Sequence, residues 1–205
     1  MGDELTPKPG DTVLLFGGSF DPPHAAHIRL PQQAKAAINA DHLAFIPAAQ
    51  QPLKQSQTPA HHRLAMLKLA LKGSVDCHVL ELELKRQGPS YTVDTVRELK
   101  AKWGDNVTLR FLIGADQLAA FNRWRDWQTI EQLAQPVIMH RDGQMPITVP
   151  DGFDRDKWLK RVIQVDRIDI SSTNLRNHLA VGQHVDETLL AKSVQDYIHA
   201  HQLYR

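Results

Sequence analysis

The sequence predicts an α/β fold of the Rossmann-like, doubly wound kind, a mostly parallel sheet in a single domain. Three observations carry this. Short apolar, β-rich runs alternate with helical patterns along the whole chain. The connections between the runs are long enough for crossovers. The length, 205 residues, suits one domain able to bury a real core.

Taken in order, residues 1–10, with Pro7, Pro9 and Gly10, read as a flexible lead-in, and the domain proper as 11–205. Thr12–Phe16 is a buried strand stopped by Gly17-Gly18. A helix from about Ala25 to Asn39 follows, with Pro31 expected to kink it or to mark a new first turn. His42–Ile46 is a second strand ended by Pro47, and Thr58-Pro59 is an N-cap and first-turn pair for a helix reaching Lys72. Val75–Leu84 reads as a long strand, Ser90–Trp103 as a helix closed by Gly104, and Val107–Ile113 as a strand followed at once by Gly114-Ala115-Asp116. Short helical segments at 117–121 and 127–133 lead to a strand at Val137–Met139. Residues 142–160 are rich in Pro, Gly and Asp and read as irregular; Arg161–Ile170 returns to an apolar, β-branched pattern. Two helices beginning near Ser172 and Asp186 complete the order.

Composition excludes several function classes. Hydrophobic residues make up 42% and charged residues 23%, with a formal net charge of +1. Such a balance supports no nucleic-acid coat and no membrane surface, so any basic site must be local. The first residues carry acids and no apolar core of a signal peptide, and no stretch approaches the ~20 apolar residues that span a bilayer. A cytoplasmic protein is expected. The single cysteine, Cys77, reads as a small buried hydrophobe in a strand.

In a doubly wound sheet ligands gather at the carboxyl ends of the strands, so the loops there carry the chemistry. Gly17 to His27 is the first. Paired glycines let the backbone approach a phosphate, and a helix N-terminus favours an anion. His24 and His27, three apart, share a helical face and can point at one bound group. Gly-Gly can also be no more than a tight turn with two surface histidines. Together, directly after the first buried strand, these features favour a phosphate site. Paired imidazoles can also bind zinc, but no acid or cysteine with matching spacing supports that. The last such loop, Ile170 to Arg176, opens a helix with Ser171, Ser172 and Thr173, and puts Arg176 one turn in, able to reach back over an anion.

Gly-Gly-Ser-Phe-Asp-Pro followed by His24-x-x-His27 resembles the signature of the nucleotidyltransferase superfamily, except that Ala26 stands where the family has Gly. That glycine lies under the adenine and phosphates in relatives, so an added methyl bears on nucleotide fit. Ile170–Arg176 is similar to the superfamily's ISSTxxR motif, which binds the ATP triphosphate. The resemblance implies Gly17, Gly18, Ser19, Phe20, Ser171, Ser172 and Thr173 at ATP, with His24, His27 and Arg176 catalytic. Gly114-Ala115-Asp116 matches the family's GxD, implying that Asp116 binds the ATP ribose.

Pro89–Thr95 resembles the PSYTxDT string of bacterial nicotinate-nucleotide adenylyltransferases, and Phe121–Trp127 their FxxWxxW segment. The resemblance implies that Trp124 stacks on nicotinate while backbone N–H groups at Thr92 and Arg125 hold its carboxylate; Trp127 is read as core. Ile46–Lys54 is similar to the family's IPxxxPPHK loop, with Lys54 toward a phosphate and alanines at 48 and 49 where some relatives carry Asn. Met139–Gly143 resembles its xRPG string with Asp142 in place of Pro; Arg141 receives no firm role. The likeness runs from about Leu14 to Arg205. It implies adenylyl transfer from ATP to nicotinate mononucleotide, giving deamido-NAD and pyrophosphate. Mg²⁺ is expected on the phosphates rather than in a protein cage. Competing readings are another acceptor (nicotinamide mononucleotide or phosphopantetheine) and a non-catalytic nucleotide-binding protein of the same fold. Monomer and oligomer are both compatible with the sequence.

Overall fold

The computed structural model describes residues 5–49, 58–141, 143 and 146–205. Among them, six strands form one parallel sheet: β1 (Thr12–Gly18), β2 (His42–Pro47), β3 (Cys77–Val79), β4 (Thr108–Gly114), β5 (Ala134–Arg141) and β6 (Val162–Val165). Their order is β3-β2-β1-β4-β5-β6, and every pairing is parallel. The chain therefore winds outward in two directions from β1 and β4, and the switch point lies between them.

β1 shows why this sheet is covered on both faces. Val13 and Leu15 enter one apolar cluster with Val93, Val96 and Leu99 of α4 (Thr92–Trp103) and Ile130 of α6 (Trp127–Leu133). Leu14, between them, enters another with Leu30 and Ala34 of α1 (Ala25–Ala37) and Leu67 of α2 (Ala60–Ala70). Alternate side chains of one strand thus fill two cores, as a buried parallel strand requires. A third cluster joins α2, through Met66, to Leu175 of α8 (Ser172–Ala180) and Val194 and Ile198 of α9 (Lys192–Ala200). The remaining helices are α3 (Leu82–Lys85), α5 (Ala115–Leu118) and α7 (Arg155–Leu159).

Several expected boundaries change. The strand expected over Val75–Leu84 keeps only Cys77–Val79 and then turns into α3. Among the described residues it is the edge strand of the sheet, and Glu83 is drawn into a buried hydrogen bond from Thr95 Oγ1 at 2.7 Å that a straight strand would not serve. Cys77 is half-buried there, in keeping with a packing role. β1 continues through Gly17 and Gly18, which pair with Ile46 and Pro47. Helix α1 runs through Pro31, which is buried within it. Thr58 does not cap α2; the N-cap is Pro59, while the Thr58 carbonyl accepts from Arg63 Nε at 3.1 Å. The stretch 142–160 contains α7, whose N-cap Asp154 accepts from Lys157 N at 3.0 Å. The β-branched run 161–170 makes a strand only to Val165, and the last helix begins at Lys192 rather than near Asp186. Of the lead-in, the part from Leu5 is docked: Leu5 lies in the first core cluster and Gly10 N donates to Asn106 O at 2.7 Å.

Helix α4 ends where expected, at Gly104, with φ 78° and ψ −179°. No atom lies within 4 Å of where a Cβ would stand. Gly104→Ala therefore isolates the backbone cost. Urea unfolding should show a loss of about 1–3 kcal/mol, the range for a side chain forced into a glycine-only conformation.

Candidate active site

The loop after β1 is built on close packing. Phe20 takes a left-handed φ of 51°, which folds its ring back over Gly18; a Cβ on Gly18 would stand 3.0 Å from that ring. Glycine at 18 is thus required by the loop's own packing, apart from any ligand. Phe20 is fully buried, in edge contact with Phe16, Phe45 and His27. Its ring thus supports the loop from beneath. Ala26, also buried, lies in the same apolar cluster as Phe20 and Leu30.

His24 is the N-cap of α1, and its ring stacks on His27 with centroids 3.7 Å apart and planes 20° apart. Only 5% of His24 is exposed, and its Nδ1 has no hydrogen-bond partner among the described residues. Burial, assisted by the charge of Arg141, pushes its pKa down to about 4. His24 is therefore a neutral imidazole at physiological pH. Arg141, at the end of β5, thus acts on the site through its charge. The α1 N-terminus offers fewer N–H groups than expected. Residues 22 and 23 are prolines, and Ala25 N donates to Leu189 O at 2.8 Å.

The last loop docks on the first. Ser172 Oγ donates to Pro22 O at 3.0 Å, and Arg176 Nη1 donates to Asp21 O at 2.8 Å. Arg176 Nη2 reaches Thr173 Oγ1 at 3.2 Å, and Ser171 Oγ accepts from Asn174 N as the cap of α8. The structure thus brings His24, His27, Arg176 and the three hydroxyl residues to one end of the sheet. Across the switch point, Asp116 is exposed in the first turn of α5. Its carboxylate folds back over Gly114, where a Cβ would stand only 2.3 Å from Oδ1.

The aromatic platform adjoins the first loop. Phe111 of β4 lies 3.8 Å from where a Cβ on Gly17 would stand, and its ring centroid is 6.0 Å from Trp124. Trp124 is half-buried, while Trp127 packs on Phe153 at 4.5 Å. Arg125 lies over the Tyr91 ring at 4.7 Å, with Nη1 3.9 Å from Asp94. That brings it to the first turn of α4, where Thr92 follows an N-cap without a side-chain hydrogen bond. Lys54 lies outside the described residues.

Sequence reasoning missed the residues beneath these loops. Arg63, only 1% exposed, donates to Thr58 O, Ser19 O at 2.7 Å, Ala48 O at 2.7 Å and Ala49 O at 3.2 Å. Asp21 accepts from Thr58 N at 3.3 Å and from Tyr204 at 2.6 Å. An arginine inside a helical pattern reads as surface, and only the depth of the fold reveals otherwise.

Residues 15–178 match the family described as Cytidylyltransferase-like. A protein of *Gemmatimonas aurantiaca* named "Probable nicotinate-nucleotide adenylyltransferase" is 37% identical over 195 residues, 93% of this chain and 91% of its own. One of the same name from *Chromobacterium violaceum* is 36% identical over 94% of this chain and 98% of its own. Among solved structures, a *Plasmodium falciparum* nicotinic acid mononucleotide adenylyltransferase complexed with NaAD superposes with a TM-score of 0.72. It is 18% identical and covers 95% of this chain and 97% of its own, a likeness of fold.

The depressed pKa of His24 fixes a sign. Between pH about 6.5 and about 4 the unfolded chain takes a proton at this imidazole and the folded chain refuses it. Its contribution to stability is complete above about pH 6.5 and is lost as pH falls through that window. An NMR titration should show one imidazole titrating near pH 4, and His24→Gln should flatten the acid limb of the stability profile.

Proposed function

This chain belongs to the family of nicotinate-nucleotide adenylyltransferases, and on that premise we propose how its residues carry out the reaction. The chain transfers the adenylyl group of ATP to nicotinate mononucleotide, giving deamido-NAD and pyrophosphate. An oxygen of the acceptor phosphate attacks the α-phosphorus of ATP in line. The bond from the α-phosphorus to the β-phosphate's bridging oxygen breaks as the new one forms. A phosphate is already ionised at neutral pH, so no general base is required, and catalysis consists of positioning and electrostatic stabilisation.

The observation that carries the residue assignment is the stacked His24–His27 pair, facing the loop where Arg176 docks on Asp21. His24, held neutral by burial, enters the reaction as a hydrogen-bond donor rather than a resident cation. The oncoming triphosphate favours protonation of His24, which concentrates positive charge where negative charge develops. Arg176 neutralises the distal phosphates, and Gly17, Gly18 and Ser19 let the main chain approach them. Asp116 takes the ATP ribose hydroxyls.

On the acceptor side, Trp124 is the stacking platform, with main-chain N–H groups at Thr92 and Arg125 for the carboxylate and Lys54 toward the acceptor phosphate. The contacts of Arg125 with Tyr91 and Asp94 support this by joining the two acceptor segments. A neutral amide would leave such N–H groups poorly paired, which favours nicotinate over nicotinamide. The described residues gather no group of three His, Cys, Asp or Glu side chains suited to a metal. In this reading Mg²⁺ rides on phosphate oxygens and water and lends charge neutralisation there. No helix of the described residues is long and apolar enough to cross a membrane; we place the enzyme's work in the cytoplasm, with its two small-molecule substrates.

The decisive assay follows pyrophosphate release with ATP, Mg²⁺ and, in parallel, nicotinate mononucleotide, nicotinamide mononucleotide and phosphopantetheine. Strong preference for nicotinate mononucleotide is expected. Preference for another acceptor overturns the roles of Thr92 and Trp124, and ATP binding without turnover on any acceptor overturns the catalytic reading. His27→Ala should lower kcat by about 10²–10³, the range for losing one electrostatic donor; a folded variant with near-full turnover refutes its assignment. Trp124→Ala should raise KM for nicotinate mononucleotide roughly tenfold, the scale of one lost stacking contact, and leave KM for ATP nearly unchanged.

A further inference from the structure

Residues 201–205 follow α9 and turn back toward the first loop, where Tyr204 meets Asp21, 183 positions earlier in sequence. Two of them, Gln202 at φ 54° and Tyr204 at φ 63°, hold left-handed conformations that residues with a Cβ adopt only when something fixes them. Leu203 and Tyr204 pack on the cluster of Met66, Leu175, Val194 and Ile198. At the end of this turn the Tyr204 hydroxyl donates to Asp21 Oδ1 at 2.6 Å. Burial pushes the phenol's pKa up, so it is a proton donor across the physiological range.

Asp21, 3% exposed, is the junction of the site. Its carboxylate accepts from Tyr204 and from Thr58 N, while its carbonyl accepts from Arg176 Nη1 at 2.8 Å. The next carbonyl, Pro22 O, accepts from Ser172 Oγ, and two residues further stands His24. A shift at Asp21 therefore moves the imidazole pair and the guanidinium together.

We propose that Tyr204 is a positioning residue for adenylyl transfer: through Asp21, its hydroxyl fixes the loop that carries His24 and docks Arg176. Tyr204 touches no reacting atom in this scheme. The inference rests on the assignment of His24, His27 and Arg176 made above.

Tyr204→Phe keeps the ring in its cluster and removes only the donor. With saturating ATP and nicotinate mononucleotide, kcat should fall about tenfold while both KM values stay within about twofold, as for an interaction that matters in the transition state. Asp21→Asn should lower kcat as well, and adding Tyr204→Phe to it should cost little more, because the two act as one unit. Amide exchange at residues 19–24 should quicken in Tyr204→Phe, with β1 and β4 as protected as before. Unchanged kcat with unchanged exchange at 19–24 overturns the proposal, as does a full additional loss on top of Asp21→Asn. A drop in melting temperature without change in kcat also overturns it, since that marks a merely structural hydroxyl. Should the unaltered protein release no pyrophosphate, the reading of the reaction fails, and the exchange at 19–24 alone decides whether Tyr204 holds the loop.

Discussion

A guanidinium removed from water must find acceptors for its donors, and Arg63 finds them in main-chain carbonyls. Those carbonyls come from three places: the loop after β1, the loop after β2 and the entry to α2. Burial disfavours the charge, and the nearby Asp21 offsets part of that cost. The consequence is geometric. Planar donors in a fixed fork cannot follow three independent loops, so the loops must hold one arrangement relative to each other. The segment at Ser19 and the segment at Ala48 and Ala49 are thereby set against each other. Preorganisation of this kind is what a reaction without a general base or covalent intermediate depends upon.

The same economy explains the imidazole pair. A histidine at a helix N-terminus, buried beside another imidazole and within the field of Arg141, loses its charge near neutral pH. A permanently charged pair would repel itself and raise the cost of folding. A neutral His24 stacks on His27 without that repulsion and keeps a donor. Arg176, half-buried beside the pair, is held by one carbonyl and one hydroxyl.

The sheet and the ends of its strands were legible in the sequence because both follow from local rules. Alternation of apolar runs with helices marks the parallel sheet, and Gly17-Gly18 and Gly114 mark strand ends by composition alone. The stretch Val75–Leu84 was misread because its apolar residues carry no mark of where pairing stops; after Leu80 N donates to Phe45 O the chain turns into α3, and Glu83 finds Thr95. Helix α7 was hidden because a single turn capped by Asp154 carries too few residues for a period to show. Arg63, Asp21 and Tyr204 were invisible for a different reason. Their partners lie between 37 and 183 positions away or on main-chain atoms that any residue provides, so no local pattern encodes them.

The alanines at 48 and 49, where some relatives have asparagine, follow from this arrangement. Ala48 N donates to Gly18 O and Ala48 O accepts from Arg63, while Ala49 O accepts from Arg63 and Ala49 N donates to Ser90 Oγ at 3.2 Å. Every one of these bonds uses the main chain of the loop. Ser90 is in turn held by the buried Glu83, whose pKa burial pushes up while hydrogen bonds from Thr95 and Ser90 counter the shift. Residues 48 and 49 are thus clamped from one side by a buried cation and from the other, through Ser90, by a buried acid. Asparagine at these positions would add contacts but is not needed to set the loop's place. Substitution to alanine therefore changes what the loop can touch and leaves where it lies. By the same reasoning, Ser90 and Thr95 in the Pro89–Thr95 string owe their place to Glu83 and the loop, while Thr92 stands at the first turn of α4, which no side chain caps.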